Sequence, residues 1–315
     1  MTIRPFDWRD LPILLRYRHQ GLILDNALIL TRGSALIPTG AMLFYFAPAT
    51  GIFTYLSTGD HKHEPILGQV SHSPGSSLAR VSFLAPESAI EADALPALLE
   101  YMVVQAGGRG ALHLLAEVDD QAAAFEMLRK AGFAIYVRQR IWQLNDELKQ
   151  RSKDPVWQVS KDSDLIPVRV LYNNLVPGLV QQVEPPPADP LVGLIYRRGE
   201  DLLAYVELKY GPRGILVQPL IHPDAEGVTA DLVKLLLSLS NRQSRPVYIC
   251  VRSYQSWIEH SLQGMGALAG PQQAVMVKHL AITKRVVRSF ALPALESGQP
   301  EATAPFIHSE SNHSK

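Results

Sequence analysis

The chain has 315 residues, and its 30 lysine and arginine residues balance 30 aspartate and glutamate residues, so the formal net charge is zero. A chain without a basic excess lacks the field that attracts nucleic-acid phosphates or an anionic membrane, which argues against both partners. No segment approaches the roughly 20 consecutive apolar residues that a membrane-spanning helix needs. Single domains usually hold roughly 100 to 200 residues, so we expect two domains.

The single cysteine, Cys250, excludes an internal disulfide. It stands between Ile249 and Val251 in an apolar run, which is typical of an inert thiol in a buried strand. Charged residues such as Arg4 and Asp7 interrupt any signal-peptide pattern near the N-terminus. We therefore expect a soluble protein in a reducing cytoplasm.

Four elements are predicted in the first part of the chain. Residues 7–18 begin with an acidic cap and place their leucines on one side, which predicts an amphipathic helix. Residues 22–30, 41–46 and 51–57 are apolar runs, which predicts three strands.

Two imidazoles and a carboxylate follow in a polar turn, at His61, His63 and Glu64. A tetrahedral metal site needs further ligands, and the sequence contains no Cys-x-x-Cys or His-Glu-x-x-His motif. We therefore expect no metal site.

Residues 76–144 combine strand and helix patterns in alternation. Proline ends the first strand because it cannot donate to the ladder, and apolar residues at three- and four-residue steps then predict a helix. The predicted elements are a strand over 78–84, a turn at Ala85-Pro86, a helix from Ala94, a strand over 111–118, a helix up to Gly132 and a strand over 133–144.

Residues 213–280 repeat this layout. The predicted elements are a strand over 214–221, a turn at His222-Pro223-Asp224, a helix over 230–239, a strand over 246–251 and a helix over 255–262. Pro86 and Pro223 both end a strand, and Gln121 and Gln255 both precede a glycine by eleven residues. Two copies with the same order indicate a duplicated domain rather than a solenoid array.

Three motifs in the first copy are specific. They are Ile3-Arg4-Pro5-Phe6, Leu84-Ala85-Pro86, and residues 121–133, in which a small-residue helix ends in Gly132-Phe133. Together they resemble the GNAT superfamily of acyl-CoA-dependent N-acetyltransferases. His222-Pro223-Asp224 is similar to the family's entry to the coenzyme loop, while Gly266-Ala267 replaces Gly-Phe. The resemblance covers nearly the whole chain and implies an α/β fold of two tandem GNAT-like domains, each a mixed sheet flanked by helices.

Composition places the domain boundaries. A charged run over 146–154 separates the copies, and the last residues are rich in Ser, Pro and Glu, which is typical of disorder. Successive prolines over 181–190 favour an extended spacer, and a place beside the acceptor site is the alternative. The predicted parts are an N-terminal GNAT-like domain over 1–148, a linker over 149–155, a C-terminal GNAT-like domain over 156–292 and a disordered tail over 293–315.

The resemblance also implies a coenzyme site for acetyl-CoA or another acyl-CoA. In the family, small residues at a helix start let backbone amides approach the pyrophosphate, while the pantetheine arm pairs with a strand. The implied residues are Phe83, Leu84, Ala85, Ala89, Ala92 and Ala94. Glu91 and Asp93 stand between the alanines and oppose a diphosphate. In the second copy the loop positions are Glu226, Thr229 and Asp231, and the arm would lie beside Leu220 to His222.

The family often places a tyrosine four residues before the glycine of Gly-Phe, where its hydroxyl can protonate the leaving thiolate. Leu128 and Leu262 occupy these positions and cannot exchange a proton. Acids from other elements are the alternative, and for each of them a structural role competes. These candidates are Tyr136, Tyr101, Glu117, Tyr254 and His222. No catalytic residue is assigned.

Two functions are consistent with these residues. The first, implied by the resemblance, is an N-acetyltransferase that moves an acyl group from acyl-CoA to a small-molecule or peptide amine. The second is a catalytically inactive GNAT-like binding or scaffold protein that has lost coenzyme binding, because fold alone does not determine activity. The altered loops favour the second function, whereas the resemblance favours the first, and acyl transfer is the prediction that we carry forward.

Overall fold

The computed structural model describes residues 2–33, 51–58, 64–145, 157–225, 227–239, 242 and 244–280. These residues fall within one compact unit, Met1–Ile282. The predicted strand over 41–46, the linker over 149–155, the tail over 293–315 and the histidines His61 and His63 lie outside the described residues.

Thirteen strands of the described residues form one mixed sheet. They are β1 (Thr2–Pro5), β2 (Leu22–Ile23), β3 (Ile52–Thr58), β4 (Ile66–His72), β5 (Leu78–Ala85), β6 (His113–Asp119), β7 (Ala134–Gln143), β8 (Gln158–Val159), β9 (Gly193–Arg198), β10 (Asp201–Tyr210), β11 (Ile215–Ile221), β12 (Val247–Arg252) and β13 (Leu268–His279). Their order is β1-β3-β4-β5-β6-β13-β7-β12-β11-β10-β9-β8, and β2 pairs with β5 outside this path.

Eight α-helices lie in the same residues. They are α1 (Leu11–Tyr17), α2 (Asn26–Arg32), α3 (Leu95–Gly108), α4 (Ala123–Lys130), α5 (Leu165–Leu175), α6 (Gly178–Gln181), α7 (Val228–Ser238) and α8 (Trp257–Gly264). None of the described helices has the length and apolar character needed to cross a membrane.

The two halves of the sheet exchange their closing strands. β13, from the second half, lies between β6 and β7 of the first half and is antiparallel to both. β7 in turn pairs with β12 of the second half. The central residues of β13, Val275, Met276 and Val277, are buried, and each large apolar side chain buried this way contributes about 1.5–3 kcal/mol. The two copies therefore share one continuous sheet.

Apolar stripes on the helices form the cores. The stripe predicted for α3, which includes Leu98 and Met102, is buried in the core of the first half. Helices α7 and α8 bury Leu236 and Leu262 in a second core with β11 and β12. A third core joins α5 to strands of both halves and fixes the second half against the first.

The predicted strand over 22–30 is wrong. The chain forms only the two-residue β2 there and then enters α2, because the Asp25 carboxylate accepts a hydrogen bond from the Leu28 amide at 3.2 Å and caps the helix. The sequence also gave no prediction for β4, in which Gly68 and Gln69 interrupt the apolar run although both are part of a buried strand.

Candidate functional site

The resemblance places a coenzyme arm beside Phe83 to Ala85, at the end of β5. β5 and β6 pair only from Leu78 with His113 to Arg80 with Leu115, although β5 continues to Ala85. Beyond this point the facing backbone groups need other partners, because buried N–H and C=O groups are almost always hydrogen-bonded.

Residues 20–24, here called the inserted segment, supply those partners in the first half. The Leu24 amide donates to the Ser82 carbonyl at 3.2 Å, and its own carbonyl accepts from the Glu117 amide at 2.9 Å, so Leu24 bridges both strands. The Gln20 carbonyl accepts from the Glu87 amide at 2.6 Å. Between these bonds, β2 pairs Leu22 with Leu84 and Ile23 with Phe83. The chain itself occupies the gap.

Two of the three predicted arm-binding residues of β5 are consequently paired on both edges. Phe83 and Leu84 lie between β2 and β4, and Ala85 pairs with β4. The fit is close, because a Cβ placed on Gly21 would lie 1.6 Å from Cε2 of Phe83. Only glycine is compatible with this approach of the inserted segment to β5.

The predicted pyrophosphate loop forms a 3₁₀ turn, Glu87–Glu91, followed by the start of α3. The amides of Ala89 and Ala92 donate to carbonyls within the turn, each at 3.0 Å. Ala94 precedes the first residue of α3, and Pro96 in the first turn has no amide hydrogen. The amides of Ala89 and Ala92 are therefore not free to bind an anion.

The cleft beside this loop is acidic. It has a volume of about 480 Å³, and Glu91, Asp93 and Glu126 line it together with the single cation Lys130. An excess of carboxylates repels a diphosphate, so the charge of this cleft opposes the coenzyme.

The corresponding gap in the second half lies between β11 and β12, which pair only from Ile215 with Val247 to Val217 with Ile249. Gln255, which is 2 % exposed, occupies it. Its Oε1 accepts from the Ile221 amide at 2.8 Å, and its Nε2 donates to the Pro219 carbonyl at 2.9 Å. The side-chain amide thus binds Ile221, within the segment from Leu220 to His222 that the resemblance implies for the pantetheine arm, and the adjacent Pro219.

In the corresponding loop of the second half, backbone amides also donate to carbonyls of the same loop. The amide of Val228 donates to Ala225 at 3.3 Å and that of Ala230 donates to Gly227 at 3.2 Å. Thr229 is buried, and Asp231 adds a negative charge to the first turn of α7. Glu226 lies outside the described residues.

A cavity of about 350 Å³, here called the junction cavity, opens between the two halves. Leu78 and Arg80 come from the first half, and the other lining residues come from the second. These include the proline segment after Glu184, which was predicted as a spacer with an acceptor-side role as the alternative, and Pro219 and Leu220 of β11.

A buried ion pair forms one side of the junction cavity. Nη2 of Arg252 lies 2.7 Å from Oε1 of Glu184, which also accepts from the Tyr136 hydroxyl. The Tyr172 hydroxyl donates to the Glu184 carbonyl at 2.6 Å. Burial alone would raise the pKa of Glu184, but the charge of Arg252 and the Tyr136 hydroxyl outweigh it and lower that pKa. Glu184 is therefore a carboxylate at neutral pH.

A second ion pair lies beside it. Nη1 of Arg80 donates to Oε1 of Glu117 at 3.1 Å, and Oε2 of Glu117 accepts from the Asn26 amide at 2.9 Å. Burial raises the pKa of Asp25, and nearby Glu117 adds to the increase although Arg80 opposes it. Glu117, a candidate acid in the sequence, thus holds the start of α2.

The other candidate acids are dispersed. Tyr101 packs edge-on against Tyr55, with ring centroids 5.3 Å apart, and His222 lies at the surface beside Asp224. Tyr254 lines the junction cavity, where burial raises its pKa. Tyr136 binds Glu184, while Leu128 and Leu262 are fully buried in the cores. Only Glu117, Tyr136 and Tyr254 lie close to the two ion pairs.

Sequence reasoning missed Arg80, Arg252 and Glu184. The available signal was an arginine within the apolar strand β5 and another at the end of the apolar strand β12. The neighbouring Cys250 is buried, as predicted, and burial raises the pKa of its thiol to about 11. The described residues contain no group of three or more His, Cys, Asp or Glu side chains arranged to hold a metal.

Two solved structures resemble the chain over most of its length. One is described as a GCN5-related N-acetyltransferase from Sphaerobacter thermophilus, with a TM-score of 0.52, 11 % identity, and coverage of 89 % of this chain and 95 % of the other. The second is described as a tandem GNAT protein from the clavulanic acid biosynthesis pathway, with a TM-score of 0.53, 13 % identity, and coverage of 89 % and 98 %. Neither a protein-family model nor a curated protein sequence matches the chain. The likeness concerns the fold, and it confirms the predicted α/β architecture of two tandem GNAT-like domains.

Proposed function

We propose that this chain, which has the GNAT fold in two tandem copies, is a noncatalytic binding protein that does not take up acyl-CoA. One observation carries the proposal. In each half, groups of the chain itself bind the strand edge that a pantetheine arm would need: the inserted segment in the first half and Gln255 in the second. The acidic cleft beside the first loop supports it.

Displacing the inserted segment from β5, so that a pantetheine arm could take its place, would require free energy. Three backbone hydrogen bonds of Gln20 and Leu24 would break, each contributing about 0.5–1.5 kcal/mol. Exposure of the buried Leu24 side chain would add about 1.5–3 kcal/mol. The sum, roughly 3–7 kcal/mol, would weaken coenzyme binding by about two to five orders of magnitude.

Acyl transfer by the second half is the other candidate function. The observation that favours it is that a single side chain closes this gap, and that the junction cavity reaches the same edge at Pro219 and Leu220. If Gln255 turned away, acetyl-CoA or another acyl-CoA would pair with β11, and an amine would enter through the junction cavity.

Calorimetry and thermal melting with acetyl-CoA test the proposal. We expect no binding heat and no stabilisation, whereas a ligand at about 100 times its dissociation constant adds about 2.7 kcal/mol. Saturable binding by the unaltered chain would overturn the proposal. In that case Gln255→Ala should change the affinity, and Gln121→Ala, at the equivalent place in the first copy, should leave it unaltered.

A further inference from the structure

Arg252, which lines the junction cavity, has hydrogen-bond donors without a partner among the described residues. Its side chain is buried, and Nη2 binds Glu184. Nε and Nη1 have no hydrogen-bond partner among the described residues. Leaving the donors of a buried guanidinium unpaired is unfavourable, so this arrangement calls for a further acceptor.

Two other cations line the same cavity. Arg80 is still 27 % exposed, and among the described residues its guanidinium makes one hydrogen bond, from Nη1 to Glu117. Lys209 is 40 % exposed and lies 3.4 Å from Glu207. The two carboxylates of the lining, Glu184 and Glu207, are paired with Arg252 and Lys209, and Nε and Nη1 of Arg252 remain without an acceptor among the described residues.

Apart from the charged residues and Gln218, the cavity wall is apolar or aromatic. Leu78 and Val176 line it, Tyr254 adds a ring, and residues 185–187 form a proline wall. A volume of about 350 Å³ is suitable for a small organic molecule. The cavity combines cationic donors with a compact apolar space.

We propose that the junction cavity binds a small organic carboxylate, with its anionic group on Arg252 and Arg80 and its apolar body against the proline wall. This inference rests on the proposed function in treating the chain as a binding protein, and it adds the site and the ligand class. The site joins both halves, since Arg80 comes from β5 and Arg252 from β12.

A titration series tests the inference on the full chain. Acetate, benzoate and 3-phenylpropionate are added at constant ionic strength, with acetamide, benzamide and 3-phenylpropanamide as neutral analogues. The Nε–H resonance of Arg252, assigned by its loss in Arg252→Lys, reports binding. We expect saturable shifts with the carboxylates, with the two aromatic acids binding about tenfold more tightly than acetate, and much weaker responses to the amides.

Matched variants distinguish binding in the junction cavity from unspecific effects of the carboxylates on the protein. In Arg252→Lys the Nε–H resonance is lost, so backbone amide shifts of the cavity lining report binding, and benzoate should bind at least about tenfold more weakly. Arg197→Lys alters another arginine–carboxylate pair of the second half, with Asp164 at 2.7 Å outside the cavity, and should bind as the unaltered chain does. Lys209→Met, at a half-exposed position, should fold and weaken binding about threefold, which keeps the test decisive if Arg252→Lys does not fold.

Two results would overturn the inference. The first is the absence of a saturable shift with any of the carboxylates, which would mean that ordered water satisfies Arg252. The second is equal binding of amides and carboxylates. Binding of acetyl-CoA in the calorimetry described above would overturn the proposed function. It would not change the outcome of the carboxylate titration, which tests the junction cavity alone.

Discussion

Replacement of Gln255 by alanine tests whether this side chain fills the second gap. The substitution removes two hydrogen bonds and leaves the Ile221 amide and the Pro219 carbonyl unpaired in a buried strand. Each unsatisfied buried group costs about 1–3 kcal/mol, so the free energy of unfolding should fall by about 2–6 kcal/mol. Gln121→Ala is the matched control, because Gln121 has the same place in the repeat and is exposed. Its effect should stay within about 0.5 kcal/mol.

Urea denaturation followed by circular dichroism measures both changes, and linear extrapolation gives each free energy of unfolding. The slope should stay the same, since the folded state keeps its compactness. Equal effects of the two substitutions would refute the reasoning, because they would mean that Gln255 contributes no more than an exposed residue.

Three other predictions concern the inserted segment, the buried ion pair of Glu184, and Cys250. Gly21→Ala forces a Cβ against the ring of Phe83, so the free energy of unfolding should fall by about 1–3 kcal/mol, and an unchanged urea midpoint would contradict the close fit of the inserted segment. Because the pKa of Glu184 is lowered, its contribution is complete above the unfolded value of about 4.3 and is lost as pH falls through the folded value. The stability difference between the unaltered chain and Glu184→Gln should therefore be largest near neutral pH and shrink below about pH 4, and a difference that grows on acidification would contradict this sign. Cys250 should react with a thiol reagent at pH 8 only on unfolding, as burial raises its pKa to about 11, and rapid labelling of the folded chain would argue against its burial.

The repeat and the helix faces were predictable because their signals are local. The apolar steps from Leu95 to Val103 match one buried face of α3, and a proline ends each strand at the same place in both copies. Such patterns depend on residues three to four positions apart, which a single sequence contains in full.

The closure of the gaps was not predictable, because it depends on partners far away in the chain. The apolar run after Gly21 fits a strand equally well until Asp25 caps a helix. Gln121 and Gln255 occupy equivalent positions, yet one is exposed and the other is buried against β11. No periodicity distinguishes the two glutamines, since the difference lies in what surrounds each of them.

The exchanged closing strands have a consequence for biosynthesis. β6 ends at Asp119, but β13, which covers its edge, ends at His279. At synthesis rates of about 5–20 residues per second, the first half waits on the order of ten seconds with an unpaired strand edge. Such edges are templates for wrong pairing, so the nascent first half depends on protection until the end of the second half leaves the ribosome. Genetic separation of the two copies would therefore yield two incomplete sheets rather than two independent proteins.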